Sequence, residues 1–230
     1  MTLPILLLHG AISSSQQMLP LKTELEKSGR KVYAYDFPGH GGAAFPNEDF
    51  SIAVFAEAVL KWMEEHKLAK VNIFGYSMGG YVALYLAHYY PEKINKIITL
   101  GTKLEWDHYI AADMARMIDS EKIAAKAPVL ADALEKMHTP NDWKEVLHRT
   151  TEMFLKMGNG PALSAENFKA ITIKVLMLLG DQDRMVTREE TEEVVALLPD
   201  AEMKILAGTP HPIEQANAAE LAKMTADFFS

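Results

Sequence analysis

Six short apolar runs, at 5–8, 32–35, 71–74, 97–100, 175–179 and 202–206, alternate with longer stretches of helical periodicity. No other feature narrows the possible folds so far. Parallel strands cannot be joined by a tight turn; they need a crossover, most often a helix. All the runs but the last are nearly unbroken apolar, as expected of strands covered on both faces. Helical patterns at 15–27, 51–66, 78–89, 188–197 and 212–229 supply the crossovers; in the first, Met18, Leu21 and Leu25 share a face and Gly29 ends it. The pattern predicts an α/β fold, a mostly parallel six-stranded sheet with flanking helices. A chain of 230 residues is long enough to bury such a core.

One segment breaks the rhythm. Between 102 and 161 no strand pattern occurs. Ile110, Met114, Met117 and Ile118 share one helical face, and Trp143, Val146, Leu147, Phe154 and Met157 share another after a break at Thr139-Pro140-Asn141. The expected organisation is a core of 1–101 and 162–230 carrying a helical cap insertion, 102–161, with Gly158-Asn159-Gly160-Pro161 as a hinge back to the core. The cap's Met114, Met117, Met137, Met153 and Met157, with Trp106, Trp143 and Phe154, suggest an adaptable apolar pocket, although methionines at helical spacing more often serve packing than line a pocket. Lys103, Glu105 and Arg116 could meet a polar substrate end, but ordinary solvated charges are the expected reading.

Composition excludes several functions. A net charge of −8 with no basic run disfavours a nucleic-acid partner. The absence of cysteine removes disulfides, thiolate catalysis and cysteine zinc sites. No histidine cluster or carboxylate-rich loop calls for a metal, and Gly39-His40-Gly41-Gly42 lacks the Lys-Ser ending of a phosphate loop. Neither metal nor cofactor is expected. The apolar run beginning at Leu3 is too short for a signal peptide and has no basic leader. No stretch approaches the ~18 apolar residues of a membrane span, so the expected location is cytoplasmic.

Chemistry concentrates at Gly75-Tyr76-Ser77-Met78-Gly79-Gly80, between the run at 71–74 and the helix at 78–89. A serine squeezed between strand and helix takes a strained backbone conformation that exposes its hydroxyl. Glycines two before and two after remove β-carbons that would collide around it. The same turn aims the amide of Met78 and the helix N-terminus at whatever the serine attacks.

A serine nucleophile needs a base, and the base needs an acid to orient it. Open α/β sheets gather such groups at the carboxyl ends of their strands. Those positions hold His9-Gly10-Ala11-Ile12, Asp36-Phe37-Pro38-Gly39-His40-Gly41, the Ser77 turn, Gly180-Asp181-Gln182-Asp183 and Gly208-Thr209-Pro210-His211-Pro212. In chain order they supply Ser77, then an aspartate (Asp181 or Asp183), then His211. His9 and His40 are read as rim residues that hydrogen-bond the loops, and Asp36 as a brace for its own loop.

These motifs, in this order and spacing along essentially the whole chain, resemble the α/β-hydrolase family. Gly75–Gly80 matches its nucleophile elbow, His9-Gly10 its first oxyanion loop, and Gly180–Asp183 its acid turn. The resemblance implies a catalytic triad of Ser77, Asp183 and His211, with Asp181 stabilising the turn. It implies an oxyanion hole made by the backbone N–H groups of Ala11 and Met78. Two departures stand out: the usual N-terminal hairpin is lacking, and His211 lies between two prolines where the family commonly has Gly-His.

A hydroxyl nucleophile, its base and two oxyanion donors together specify acyl transfer to water. The expected activity is carboxylesterase-like hydrolysis of a small-molecule ester or thioester with an apolar acyl part, through an acyl-enzyme. Carbon–carbon bond hydrolases and lyases of the same fold keep a serine elbow and stand as the alternative. A non-catalytic small-molecule receptor is the alternative from another class. The sequence leaves the oligomeric state open.

Overall fold

The computed structural model describes residues 3–230. Six strands form one sheet: β1 (Ile5–Leu8), β2 (Val32–Tyr35), β3 (Val71–Tyr76), β4 (Ile94–Leu100), β5 (Lys174–Gly180) and β6 (Ala201–Leu206). Their order is β2-β1-β3-β4-β5-β6, and every neighbouring pair is parallel. The expected "mostly parallel" sheet is therefore parallel throughout.

Two strands are longer than their apolar runs suggest. β4 begins at Ile94 because its polar residues find partners: Asn95 donates to Asn72 Oδ1 at 2.8 Å, and Lys96 Nζ donates to the carbonyls of Phe228 and Ser230. β3 continues through Gly75-Tyr76, carrying the strand directly into the Ser77 turn.

Helices cover both faces. On one lie α1 (Leu19–Lys27), preceded by a 3₁₀ turn at Ser15–Met18, and the C-terminal α10 (Ala218–Phe228). On the other lie α2 (Ile52–Glu65), α3 (Met78–Tyr89), the short α8 (Ala165–Lys169) and α9 (Arg188–Leu197). α3 is buried along nearly its whole length, as its apolar sequence requires. The single helix expected over 212–229 is interrupted. A 3₁₀ turn at Ile213–Gln215 ends at Ala216, and Asn217 caps α10 by accepting from the amides of Ala219 and Glu220.

Between β4 and α8 the chain leaves the sheet for four helices: α4 (His108–Met117), α5 (Ser120–Lys126), α6 (Pro128–His138) and α7 (Trp143–Asn159). Asp107, Asp119 and Asp142 cap α4, α5 and α7. Gly158, expected at a hinge, lies inside α7, where a β-carbon would come within 2.5 Å of the Ala111 methyl and 2.8 Å of the Asp107 carbonyl. It lets α7 pack closely on α4. Met117 was expected on the buried face but is 54% exposed. Among the described residues no helix is long and apolar enough to cross a membrane.

Candidate active site

In this strand order the chain leaves β1 toward β2 on one side and returns to β3 on the other. Such a switch point opens a crevice at the carboxyl ends of the two strands. The loop after β1 and the turn after β3 both line a cavity of about 370 Å³ there.

Ser77 sits at φ 51°, ψ −118°, a region an L-residue occupies only under strain. The flanking glycines explain how the turn closes. A β-carbon on Gly75 would lie 2.5 Å from the Gly80 backbone nitrogen, and one on Gly79 would strike the Leu8 carbonyl. Ser77 is also the residue before the first turn of α3, where a serine ordinarily caps. Its side chain makes no cap hydrogen bond and has no other hydrogen-bond partner among the described residues, and Ser77 lines the cavity. The backbone is tied down instead: Ser77 N–H donates to Leu100 O at 2.8 Å, and the Thr102 hydroxyl donates to Ser77 O at 3.1 Å.

His211 lines the same cavity. Its Nδ1 lies 2.8 Å from Asp183 Oδ2. Asp183 Oδ1 accepts the amides of Met185 and Val186 at 2.8 and 2.9 Å. Burial pushes the Asp183 carboxyl upward. The bond and charge of His211 and the two amides outweigh that and hold it below the usual carboxylate range. Asp181 faces elsewhere and accepts from Thr209 N–H at 3.2 Å, steadying the loop that carries His211. The structure thus joins Asp183, not Asp181, to the histidine. Ser77 Oγ and His211 Nε2 share no hydrogen bond among the described residues; such pairs often stand apart until substrate binds.

Ala11 and Met78 line the cavity beside Ser77, and the amide of neither has a backbone or side-chain acceptor among the described residues. The Ala11 amide is aimed by His9. Phe37 N–H donates to His9 Nε2 at 3.2 Å, so Nδ1 carries the proton and donates to Gly10 O at 2.7 Å. In a trans peptide the N–H points opposite to the carbonyl, so this bond turns the Ala11 N–H away from His9.

His9 and His40, expected at the rim, are fully buried. Burial lowers His9 to about 4 and His40 well below its ordinary value. Asp36 braces more than its own loop: it accepts from the Ser15 amide at 2.6 Å and the Ser15 hydroxyl at 2.8 Å, tying the loop after β2 to the one after β1.

The helical insertion contributes Trp106, Met114, Met137, Met153, Phe154 and Met157 to the cavity wall. Met117 and Trp143 do not contribute. Lys103 also reaches the wall, but not as a solvated charge. Its Nζ lies 2.5 Å from Glu190 Oε2, with side-chain exposures of 12% and 2%, while Glu190 Oε1 accepts from Leu104 N–H at 3.0 Å. The pair ties the first residues of the insertion to α9. Arg116 pairs with Asp113 on the surface.

Further residues hold the site together without marking themselves in the sequence. Tyr76 Oη donates to His211 O at 3.1 Å, and Gly10 N–H donates to Gln17 Oε1 at 3.2 Å. Tyr76 was legible only as the residue before Ser77. No group of three or more His, Cys, Asp or Glu is arranged to hold a metal ion among the described residues.

The alpha/beta hydrolase fold family model matches residues 4–156, and the chain belongs to that family. A proline iminopeptidase of Lactobacillus delbrueckii subsp. bulgaricus is 32% identical over 132 residues, covering 54% of this chain and 45% of the enzyme. The chain therefore spans less than half the length of that relative. Among solved structures, NosK from Streptomyces actuosus superposes with a TM-score of 0.83 at 20% identity, over 100% of this chain and 98% of that one. The enol-lactonase from Burkholderia xenovorans LB400 gives 0.78 at 21%, over 99% and 91%. At these identities the structural matches bear on the fold alone.

Proposed function

We propose that the protein is a serine hydrolase that cleaves a carboxylic ester or thioester through an acyl-enzyme intermediate. One observation carries the reading: Ser77 lines a cavity with a His211–Asp183 pair and with Ala11 and Met78, and neither its hydroxyl nor those two amides have a partner among the described residues. His211 Nε2 takes the Ser77 proton as Oγ attacks the acyl carbon. The carbonyl oxygen becomes an oxyanion held by the amides of Ala11 and Met78. The tetrahedral intermediate collapses, and His211 gives its proton to the departing alcohol or thiol. Water, deprotonated by the same histidine, then attacks the acyl carbon and releases the acid. Asp183, kept ionised, orients the ring and stabilises its charged form.

In this reading residues 102–161 act as a cap over the core of 1–101 and 162–230. The apolar wall from α4, α6 and α7 suits an uncharged acyl group. Among the described residues Lys103 is the one lysine lining the cavity, and it is paired with Glu190, which leaves no unpaired lysine there for an anionic substrate end. That favours simple esters and thioesters over carbon–carbon bond cleavage of acidic substrates. No metal or cofactor enters the scheme.

The test is turnover of p-nitrophenyl esters of graded acyl length by the wild-type chain and Ser77→Ala. Hydrolysis by the first and none by the second is expected. No turnover at any length, with ligand still bound in the cavity, would replace catalysis by a receptor role.

A further inference from the structure

His138 is the last residue of α6, deep within the helical insertion, yet its ring is fully buried against two loops of the core. Gly41 N–H donates to its Nδ1 at 3.2 Å, and its Nε2 lies 3.2 Å from Ile12 O. An amide N–H can only donate, so Nδ1 is the acceptor and Nε2 carries the proton given to the Ile12 carbonyl. The imidazole is therefore neutral and held in one tautomer. The charged and titratable groups around it are His9 after β1 and Asp36 and His40 after β2; His40 lies 5.8 Å away, centroid to centroid.

Ile12 is the residue after Ala11, and it stands at φ 53°. For a β-branched residue this backbone is a genuine outlier that persists only where surroundings enforce it. His9 fixes the Gly10–Ala11 peptide from the core side, and His138 grips the carbonyl two peptides further on. The next turn of the insertion is fastened beside it: Asn141 Nδ2 donates to the carbonyls of Gly39 and Ala43 at 3.0 and 2.7 Å.

We infer that His138 is a positioning residue for catalysis: from the insertion, it holds the strained Ile12 peptide so that the adjacent Ala11 amide stays aimed at the oxyanion. The inference rests on the serine-hydrolase reading. It adds that the insertion builds part of the catalytic apparatus as well as shaping the pocket. With His138 seated, both ends of the 10–12 loop are fixed; with it withdrawn, Ile12 can relax and carry the Ala11 N–H away.

His138→Leu removes both hydrogen bonds, whereas His138→Gln keeps one donor and one acceptor. For p-nitrophenyl butyrate, His138→Leu should lose about ten- to a hundredfold in kcat, within the loss of one oxyanion donor, with KM changed less than twofold. An alkylboronic acid, whose complex with the serine uses the same donors, should bind more weakly by a similar factor. His138→Gln should recover most of both. Independently of activity, hydrogen exchange of the peptide covering residues 10–13 should speed up in His138→Leu and not in His138→Gln.

If His138→Leu does not fold, His138→Asn serves, since its shorter amide cannot reach both partners. A folded variant with kcat within threefold of wild type, a change confined to KM, or unaltered exchange at 10–13 overturns the inference. Failure of the underlying reading looks different: the wild-type chain would not turn over the ester, or Ser77→Ala would retain the activity. In that case the exchange measurement still decides whether His138 holds the loop.

Discussion

His211 Nδ1 lies 2.8 Å from Asp183 Oδ2, while Asp181, two residues before that aspartate, binds the Thr209 amide instead. The turn after β5 thus gives its two carboxylates separate tasks. Asp183→Asn should lower kcat by about 10³- to 10⁴-fold, because an amide in its place neither fixes the productive tautomer nor stabilises the imidazolium. Asp181→Asn should cost less than about tenfold, since the amide oxygen can still accept from Thr209. Steady-state kinetics on the two variants check this, and the reverse ranking would exchange their roles.

The Lys103–Glu190 pair should show itself in stability. Lys103→Met leaves a buried carboxylate without its cation, a change that costs about 3–5 kcal/mol. At about 2–4 °C per kcal/mol for a chain of this size, the melting temperature should fall by roughly 6–20 °C. Calorimetry measures this directly; a fall below about 2 °C would mean that the pair is not desolvated in solution.

Acid should weaken the fold before the carboxylates titrate. Burial lowers His9 to about 4 and lowers His40 and His138 from the ordinary histidine value near 6.5. Between about 6.5 and 4 the unfolded chain therefore binds more protons than the folded one, so stability declines as pH falls through that window. Asp183, held low, adds its loss only below the usual carboxylate range. Urea midpoints between pH 7.5 and 4.5 test the sign, and a flat profile would contradict the buried-neutral assignment.

Filling the cavity should shift the acyl-length preference. Met137 lines the wall and is only partly buried, so Met137→Trp adds bulk there with little overpacking of the core. The optimum across C2 to C12 p-nitrophenyl esters should move toward shorter acyl groups, chiefly through KM. An unchanged profile would place the acyl chain elsewhere.

What could be read from the sequence, and what could not, divides along one physical line. β1, β2, α3 and α9 have bounds set by local apolar pattern and caps, and all four were legible as they stand. Ser77 was legible because its glycines are local to it. His138 was not, since its two partners lie 97 and 126 residues away and nothing in its own neighbourhood marks it. The Lys103–Glu190 pair spans 87 residues, and Lys103 reads from sequence as a solvated charge. Met117 was misplaced because at the end of α4 its neighbours Met114 and Ile118 take the places on the cavity wall and Met117 itself turns to solvent. The start of β4 was hidden because Asn95 and Lys96 are satisfied only by distant partners.

The central claim is that Ser77 is the attacking group. It is tested most directly by treating the folded protein with a fluorophosphonate, weighing the intact chain and mapping the adduct. One adduct per chain, on Ser77 and absent from Ser77→Ala, is the predicted result. An unlabelled chain that still hydrolyses esters, or an adduct on any other residue, would contradict it.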